Sequence, residues 1–559
     1  MWNCHKNDII PLGVSPMFTA WPSIREFLDV PSDLTGRGVT IAIIDANFPD
    51  HPDISSDETR NTYRVRLSPE VTEPERIVAD HAGPWRRGVH GLWAAAAAAG
   101  SGILSHGQYA GIAPQANLYL ISAYAPDNPN QFALEEAIQW VRDHGLELGI
   151  RGILVSFNTR PHSPLLPWQL DANKVLCEQL ADMGILVVCG TGNFADATAV
   201  SVQAPVPSVL SVGGIVIPAN GTLEDASSYH GSRGTTFEGK WVPEILAPAE
   251  NVVLPWGDPQ MLSEHPHSAI DNLPEGYGRI DGTSFSGPIV LGAAACIWQA
   301  HPEWTNEQVK WALVNGSLKS ERWADLRAGV VSVQTSVSMC DPELEMSPSP
   351  FSRWRAMCSI PEEERFQAKW GVDDATSVEV ILSLDTPFSP NGLQILSDSF
   401  ANMSPTIRSA ALCKTTAGEY DLDATYLSFA LQEADARVRS AALYHILHRP
   451  TPRGNYSDVV IDRFVDEDPD VSLLAIQLAG MTKSPLFASA LVAGLRDEAL
   501  ADRDIHFWGR IIALREVTNQ SFTPNPPFQA VGSEDGDAYR QKCLNLSEQW
   551  EEWLASWVY

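Results

Sequence analysis

Basic side chains are scarce in this chain: 38 Lys and Arg stand against 69 Asp and Glu, for a formal net charge of −31. Duplex binding draws on clustered Lys and Arg, so nucleic acid is not an expected partner. The acidic excess is spread over both halves, which reads as a soluble surface or as a bias toward basic substrates. Cysteine is sparse as well. The eight, at positions 4, 177, 189, 296, 340, 358, 413 and 543, form no CxxC pair and no metal-ligand spacing. Cys189 and Cys296 fall inside apolar runs, where a free thiol behaves as a small hydrophobe. This is the pattern of a reduced, intracellular chain rather than of a disulfide frame. No apolar run reaches the roughly 18 residues of a membrane span. The runs Ala94–Ala99 and Ile289–Trp298 read as buried helices. The start, Met1-Trp-Asn-Cys-His-Lys-Asn-Asp8, has no basic-then-apolar secretory organisation. These absences predict a cytoplasmic protein without a membrane partner.

What is present is a chain of 559 residues, long enough for two or more domains with separate cores. From Gly36 to about Asn315, short β-rich apolar runs alternate with helical stretches. Strands are expected at Val39–Ile44, Asn117–Ile121, Gly152–Ser156, Ile185–Cys189 and Val209–Val212. Helices are expected at His90–Ala99, Phe132–Asp143, Asp171–Met183 and Ser284–Ala300. The alternation predicts an α/β domain whose mostly parallel sheet is covered by helices on both faces. Ligands of such sheets sit at the carboxyl ends of the strands, where Asp45 and Asn193 would arrive. Thr305-Asn-Glu-Gln308 is a capping box for one more helix, Asn306–Val314. Pro342, Pro348, Pro350 and Pro361 mark residues 336–375 as a linker. Beyond it the strand signals vanish and a repeat begins. Ser404-Pro-Thr-Ile-Arg-Ser-Ala-Ala-Leu412 returns as Asp435-Ala-Arg-Val-Arg-Ser-Ala-Ala-Leu443 and more loosely from Asp468 and Asp502. Ile407, Val438, Val471 and Ile505 are spaced by 31, 33 and 34 residues, a period that implies one helix pair per repeat. The Ser or Asp opening each copy is a natural N-cap.

Four segments of the first domain carry chemistry. Val39-Thr-Ile-Ala-Ile-Ile-Asp45 is an apolar strand ending in a carboxylate. His90-Gly-Leu-Trp-Ala94 opens a helix. Gly184-Ile-Leu-Val-Val-Cys-Gly-Thr-Gly-Asn193 is a strand ending in Gly-Asn. Gly282-Thr-Ser-Phe-Ser-Gly-Pro288 sets a hydroxyl among small residues at the mouth of an apolar helix, where free N–H groups supply partial positive charge. Singly, Asp45 reads as a turn cap, His90 as a helix-start histidine and Asn193 as an αL turn residue, while Ser284 has an N-cap as its alternative but reads as a nucleophile even alone. Together and in this order they resemble the subtilisin-like serine peptidases, helped by His51-Pro-Asp-Ile54 and Gly111-Ile-Ala-Pro114. The order Asp, His, Ser separates that family from other Ser-His-Asp folds.

The resemblance implies a nucleophile in Ser284, a general base in His90 and an orienting carboxylate in Asp45. An oxyanion hole would be made by the Asn193 side-chain amide and the Ser284 backbone N–H. It further implies an extended substrate pairing with two backbone edges, Ser156-Phe157-Asn158 and Gly190-Thr191-Gly192. No metal or organic cofactor enters this chemistry. The calcium loops of many relatives are not assignable, and the acidic stretch Asp50–Asp57 reads as a solvated loop. Four departures stand out. Asn158 and Thr159 replace the glycines that shape the family's specificity pocket, which predicts a narrower or more polar one. Ala46-Asn47 replaces Ser/Thr-Gly after the aspartate, Trp93 replaces a second histidine, and Ile289 replaces the histidine after the motif's proline. The first 36 residues are too few for the folded propeptide of secreted relatives. Ile9-Ile10-Pro11-Leu12 resembles the arm with which intracellular subtilisins block their own cleft.

The repeats resemble HEAT repeats, and the segment around Trp550, Trp553 and Trp557 resembles a terminal helix capping such an array. The expected layout is an N-terminal arm (1–36), a peptidase domain (37–335), a linker (336–375) and an all-α HEAT-like solenoid (376–559). The expected activity is hydrolysis of peptide bonds in a protein or peptide substrate, with the repeats recruiting substrate or regulator in a bacterial defence or signalling setting. The competing expectation is a catalytically silent scaffold for protein–protein interaction.

Overall fold

The computed structural model describes residues 21–557 apart from 68–73, 78–88, 126–127, 156–162, 220, 257–272, 340–346, 402, 421, 423, 450–456 and 523–535. The segment Ile9–Leu12 and the edge Ser156-Phe157-Asn158 therefore lie outside the described residues.

The first domain is built on one twisted sheet. Its strands run, in spatial order, Gly329–Val330, Ile245–Glu250, Leu210–Val216, Leu186–Gly190, Ile150–Val155, Thr40–Asp45, Asn117–Ser122, Thr62–Arg66 and Glu75–Arg76. All pair in parallel except Glu75–Arg76, and a short antiparallel segment, Ser227–Ser228, adds to Leu210–Val216. Strand Thr40–Asp45 lies between Asn117–Ser122 and Ile150–Val155. The chain crosses from one flank of the sheet to the other there, the switch point at which such sheets bind ligands. Ile41 and Ile43 face one core while Ala42 and Ile44 face another, as the period of two requires. Helices Val89–Ala99, Thr283–Ala300 and Asn306–Asn315 cover the first face. Helices Leu134–His144 and Ala172–Asp182 cover the second.

The expected strands and helices form within two residues of their anticipated ends at most boundaries, and the Thr305–Gln308 capping box is present. Of the strands that were not anticipated, two are full members of this sheet. Thr62–Arg66 alternates charge with apolar residues, and its buried Arg64 is paired with Asp50. Ile245–Glu250 contains Pro248, tolerated because the ladder shifts register between Pro248 and Glu250.

The alanine run acquires its meaning in packing. Helix Val89–Ala99 lies against helix Thr283–Ala300, and a Cβ on Gly292 would fall 2.6 Å from the Ala98 carbonyl oxygen and 2.8 Å from Ile112 Cβ. Small residues on both helices let the backbones approach closely.

The described residues from 347 to 375 correct the expectation of a linker there. Pro350–Ser359 and Glu362–Ala368 are helices. Phe351 and Met357 are buried, and Trp354 meets Trp168 of the first domain edge-on at 5.4 Å. Proline at N1 is compatible with a helix start, so Pro350 opens a helix instead of breaking one. Helices Pro405–Ala417, Ala436–His448, Pro469–Thr482 and Asp504–Thr518 then stack one on the next, each preceded by shorter helical segments. Ser404, Asp435 and Asp468 cap the first three as expected. Asp502 does not cap the fourth: it has φ 53° and pairs with Arg540 instead. Trp550, fully buried, packs edge-on against Phe522 at 4.9 Å and closes the array. The two halves share cores, since Leu165 and Leu166 belong to the array's apolar cluster and Phe237 to that of its first helices.

Replacing Gly292 by Val should force the two central helices apart and cost about 1–3 kcal/mol or more. Thermal unfolding followed by circular dichroism checks this, with a lowered Tm as the expected outcome.

Candidate active site

Asp45 ends its strand with a fully buried carboxylate. Its Oδ1 accepts a hydrogen bond from the Ala46 backbone N–H at 2.7 Å. Its Oδ2 lies 2.7 Å from His90 Nδ1. A carboxylate accepts, so Nδ1 carries the hydrogen and Nε2 of a neutral ring is left with its lone pair. The approach depends on Gly91. A Cβ there would stand 2.2 Å from the Asn47 carbonyl oxygen and 2.9 Å from the Phe48 ring, so a side chain would push the helix off the loop after Asp45.

Ser284 occupies the first turn of helix Thr283–Ala300 and is the one residue from 283 to 298 that is not buried. The imidazole of His90 lies against the same turn, its ring centre 5.6 Å from that of Phe285. Among the described residues Ser284 Oγ makes no hydrogen bond to His90, as in free enzymes whose catalytic contacts tighten on binding substrate.

Asn193 is fixed with its amide in a defined sense. Its Oδ1 accepts from the Thr283 backbone N–H at 2.8 Å and from Thr283 Oγ1 at 2.9 Å. A backbone N–H can only donate, so the oxygen is on that side and Nδ2 is a donor with no acceptor among the described residues, 3.4 Å from where a Cβ on Gly282 would be. Thr283 Oγ1 also accepts from Gly192 N at 3.1 Å. This bracing role of Thr283 escaped the sequence reading. The signal available was its place inside Gly-Thr-Ser, a small β-branched hydroxyl just ahead of the serine.

The second substrate edge needs correction. Thr191 N donates to Val212 O and Thr191 O accepts from Val200 N; Gly192 N goes to Thr283 Oγ1 and Gly192 O accepts from Ser232 N. Gly190-Thr191-Gly192 is thus a wall with its backbone groups engaged, not an edge open to strand pairing. Trp93 stands in an aromatic group, 5.0 Å from Trp256 and 5.9 Å from Phe285 between ring centres. The Asp50–Asp57 stretch is no plain solvated loop: Asp53 is buried and accepts from the Tyr277 hydroxyl, Asp50 pairs with Arg64, and Asp57 accepts from Thr59 N and Oγ1. Among the described residues no group of three or more His, Cys, Asp or Glu could hold a metal ion.

Residues 36–333 match the model of the subtilase family of peptidases. The chain belongs to the subtilase family. It is 29% identical over 330 residues to serine protease AprX of Bacillus subtilis (strain 168), covering 54% of this chain and 67% of AprX. It is 25% identical over 284 residues to subtilisin BL of Lederbergia lenta, covering 50% of this chain and 84% of that protein. Among solved structures, fervidolysin from Fervidobacterium pennivorans aligns with TM-score 0.42 and 19% identity over 60% of this chain. That alignment spans 49% of the fervidolysin chain. The protease domain of PatA aligns with TM-score 0.40 and 20% identity over 55% of this chain and 96% of that domain.

In this subtilase burial works against a charged His90, but the Asp45 charge and its hydrogen bond outweigh burial and raise the imidazole above its usual 6.5. On the reading of His90 as the base, which acts only when unprotonated, the acid limb of kcat/KM should lie above pH 6.5. In Asp45→Asn the raising influences are gone and burial remains, so the limb should move to lower pH while kcat falls about 10⁴-fold. A pH–rate profile of both proteins on a peptide amide checks the direction.

Proposed function

We propose that this subtilase is a serine endopeptidase acting on a protein or peptide substrate through Asp45, His90 and Ser284. The observation that carries the reading is the 2.7 Å contact of Asp45 Oδ2 with His90 Nδ1, in a ring whose centre lies 5.6 Å from that of Phe285, the residue after Ser284. Ser284 Oγ attacks the scissile carbonyl and Nε2 takes its proton, with Asp45 stabilising the resulting imidazolium. Asn193 Nδ2 and the Ser284 backbone N–H receive the oxyanion. The imidazolium then gives its proton to the leaving amine. Water, activated by the same ring, releases the acyl group. The preset amide of Asn193 supports the second half of this scheme, because a donor fixed before reaction needs no reorganisation during it.

The stacked array is read as HEAT-like, on its spacing of 31 to 34 residues and its stacked second helices. Its role is recruitment of a protein substrate or regulator, in keeping with exposed Phe429, Val465, Leu486 and Leu500 on its shorter helical segments. Among the described residues six cysteines are free and five of them buried, which supports a cytoplasmic setting. Restricted proteolysis within a bacterial defence or signalling system is the biological reading, by analogy with other protease–repeat fusions.

A fluorophosphonate probe tests the chemistry. Labelling should appear in the parent protein and vanish in Ser284→Ala, and Asn193→Ala should lower kcat by about 10²–10³. Failure to label the protein, whether intact or lacking residues 1–20, favours the silent scaffold.

A further inference from the structure

The loop that carries Asn193 is gripped from two sides. Val200 N donates to Thr191 O at 2.9 Å and closes it at the base. Gly192, at φ 122°, has no room for a side chain: a Cβ would meet Val200 Cβ at 2.7 Å and Ser232 Oγ at 2.8 Å. Within the peptidase domain Ser232 Oγ donates to Phe194 O at 2.8 Å and Arg233 N to Ala197 O at 3.1 Å.

The opposite side of the loop is held by the helical array, by residues some 270 to 310 positions away in sequence. Thr198 N donates to Asp470 Oδ1 at 3.2 Å, and Asp470 is buried in the first turn of helix Pro469–Thr482. Asp196 Oδ2 lies 2.8 Å from His506 Nδ1 and accepts from His506 N at 3.4 Å. The His506 side chain is fully buried, and its Nε2 lies 2.9 Å from Pro469 O. Both ring nitrogens thus lie against oxygen atoms, one from each domain. Helix Asp504–Thr518 has no cap of its own, since Arg503 makes no side-chain capping bond. Asp196 fills that place from the other domain, accepting from the third helical N–H as an N-cap side chain does. The missing cap at Asp502 and the contact at Asp196 are one observation.

A surface array has no structural need to bury a histidine on the loop of a neighbouring active site. We propose that His506 and Asp470 of the array, the first through Asp196 and the second through the Thr198 N–H, are positioning residues that hold the Asn193–Val200 loop so that the Asn193 amide is set for the oxyanion. The array then acts on the chemical step as well as on recruitment, and a ligand that shifts its helices changes turnover through this contact. The inference rests on the peptidase reading for its catalytic consequence and on the loop contacts alone for its structural one.

Two measurements on the full chain separate these. Turnover of a peptide amide is measured for the parent, His506→Ala, Asp196→Ala, Asn193→Ala and the doubles His506→Ala/Asp196→Ala and His506→Ala/Asn193→Ala. His506→Ala and Asp196→Ala should each lower kcat about 10- to 100-fold. KM should change less than about twofold in each, and neither the second loss of the pair nor His506→Ala in the Asn193→Ala background should add more than about that factor. An equal loss of kcat with and without Asn193 would make His506 merely structural and overturn the proposal, as would an unchanged kcat. Amide hydrogen exchange over residues 193–200 should quicken in both single variants. Unchanged exchange overturns the proposal even in a protein that hydrolyses nothing, whereas quickened exchange without parental turnover sinks the peptidase reading alone. Asp196→Ala leaves the array's own residues intact and keeps the test valid should His506→Ala fold poorly.

Discussion

Helix Thr283–Ala300 has no polar stripe, and the need to bury it on every side organises the first domain. Fifteen of its eighteen residues are buried, so sheet, alanine helix and loops must close around it. A helix so enclosed can meet water only at an end. Its N-terminal end opens at the carboxyl edge of the sheet, where Asp45 and Asn193 also arrive, and Ser284 is the position at which enclosure stops. Of the N–H groups in that first turn, that of Thr283 goes to Asn193 Oδ1 and that of Phe285 to Gly282 O, while the Ser284 N–H has no acceptor among the described residues. The site is thus placed by packing demands that extend about 27 Å along the helix, at 1.5 Å per residue.

Inside that frame small residues set the distances. Gly91 brings the His90 helix onto the loop after Asp45, and Gly292 lets the two central helices touch. Thr283 fixes the Asn193 amide through two bonds at once. None of these residues is a reacting group. Each removes a degree of freedom from one that could be, which is the physical content of preorganisation.

Much of this was legible along the chain because it rests on local pattern. Period-two apolar runs located strands such as Thr40–Asp45, and the Gly-Thr-Ser segment located the helix mouth. The strand Ile245–Glu250 was hidden because its proline argues against a strand and is excused by a register shift that exists only in the assembled sheet. The helices at Pro350–Ser359 and Glu362–Ala368 were masked by prolines that open helices as readily as they break them. The wall at Gly190-Thr191-Gly192 and the trans cap from Asp196 were beyond reach of pattern, since each depends on a partner brought in from a distant part of the chain. Local physics writes itself into neighbouring letters; long-range pairing does not.

The seam between the two halves bears on how such a protein can be inherited. Leu165, Leu166 and Phe237 belong to the first half by sequence but complete apolar clusters of the second. Severing the halves would uncover oily side chains on both, inviting precipitation of each fragment. Gene shuffling that exchanged one half without re-tailoring those three positions would be penalised at once, so the pair should travel through descent as a unit and vary together along the shared boundary.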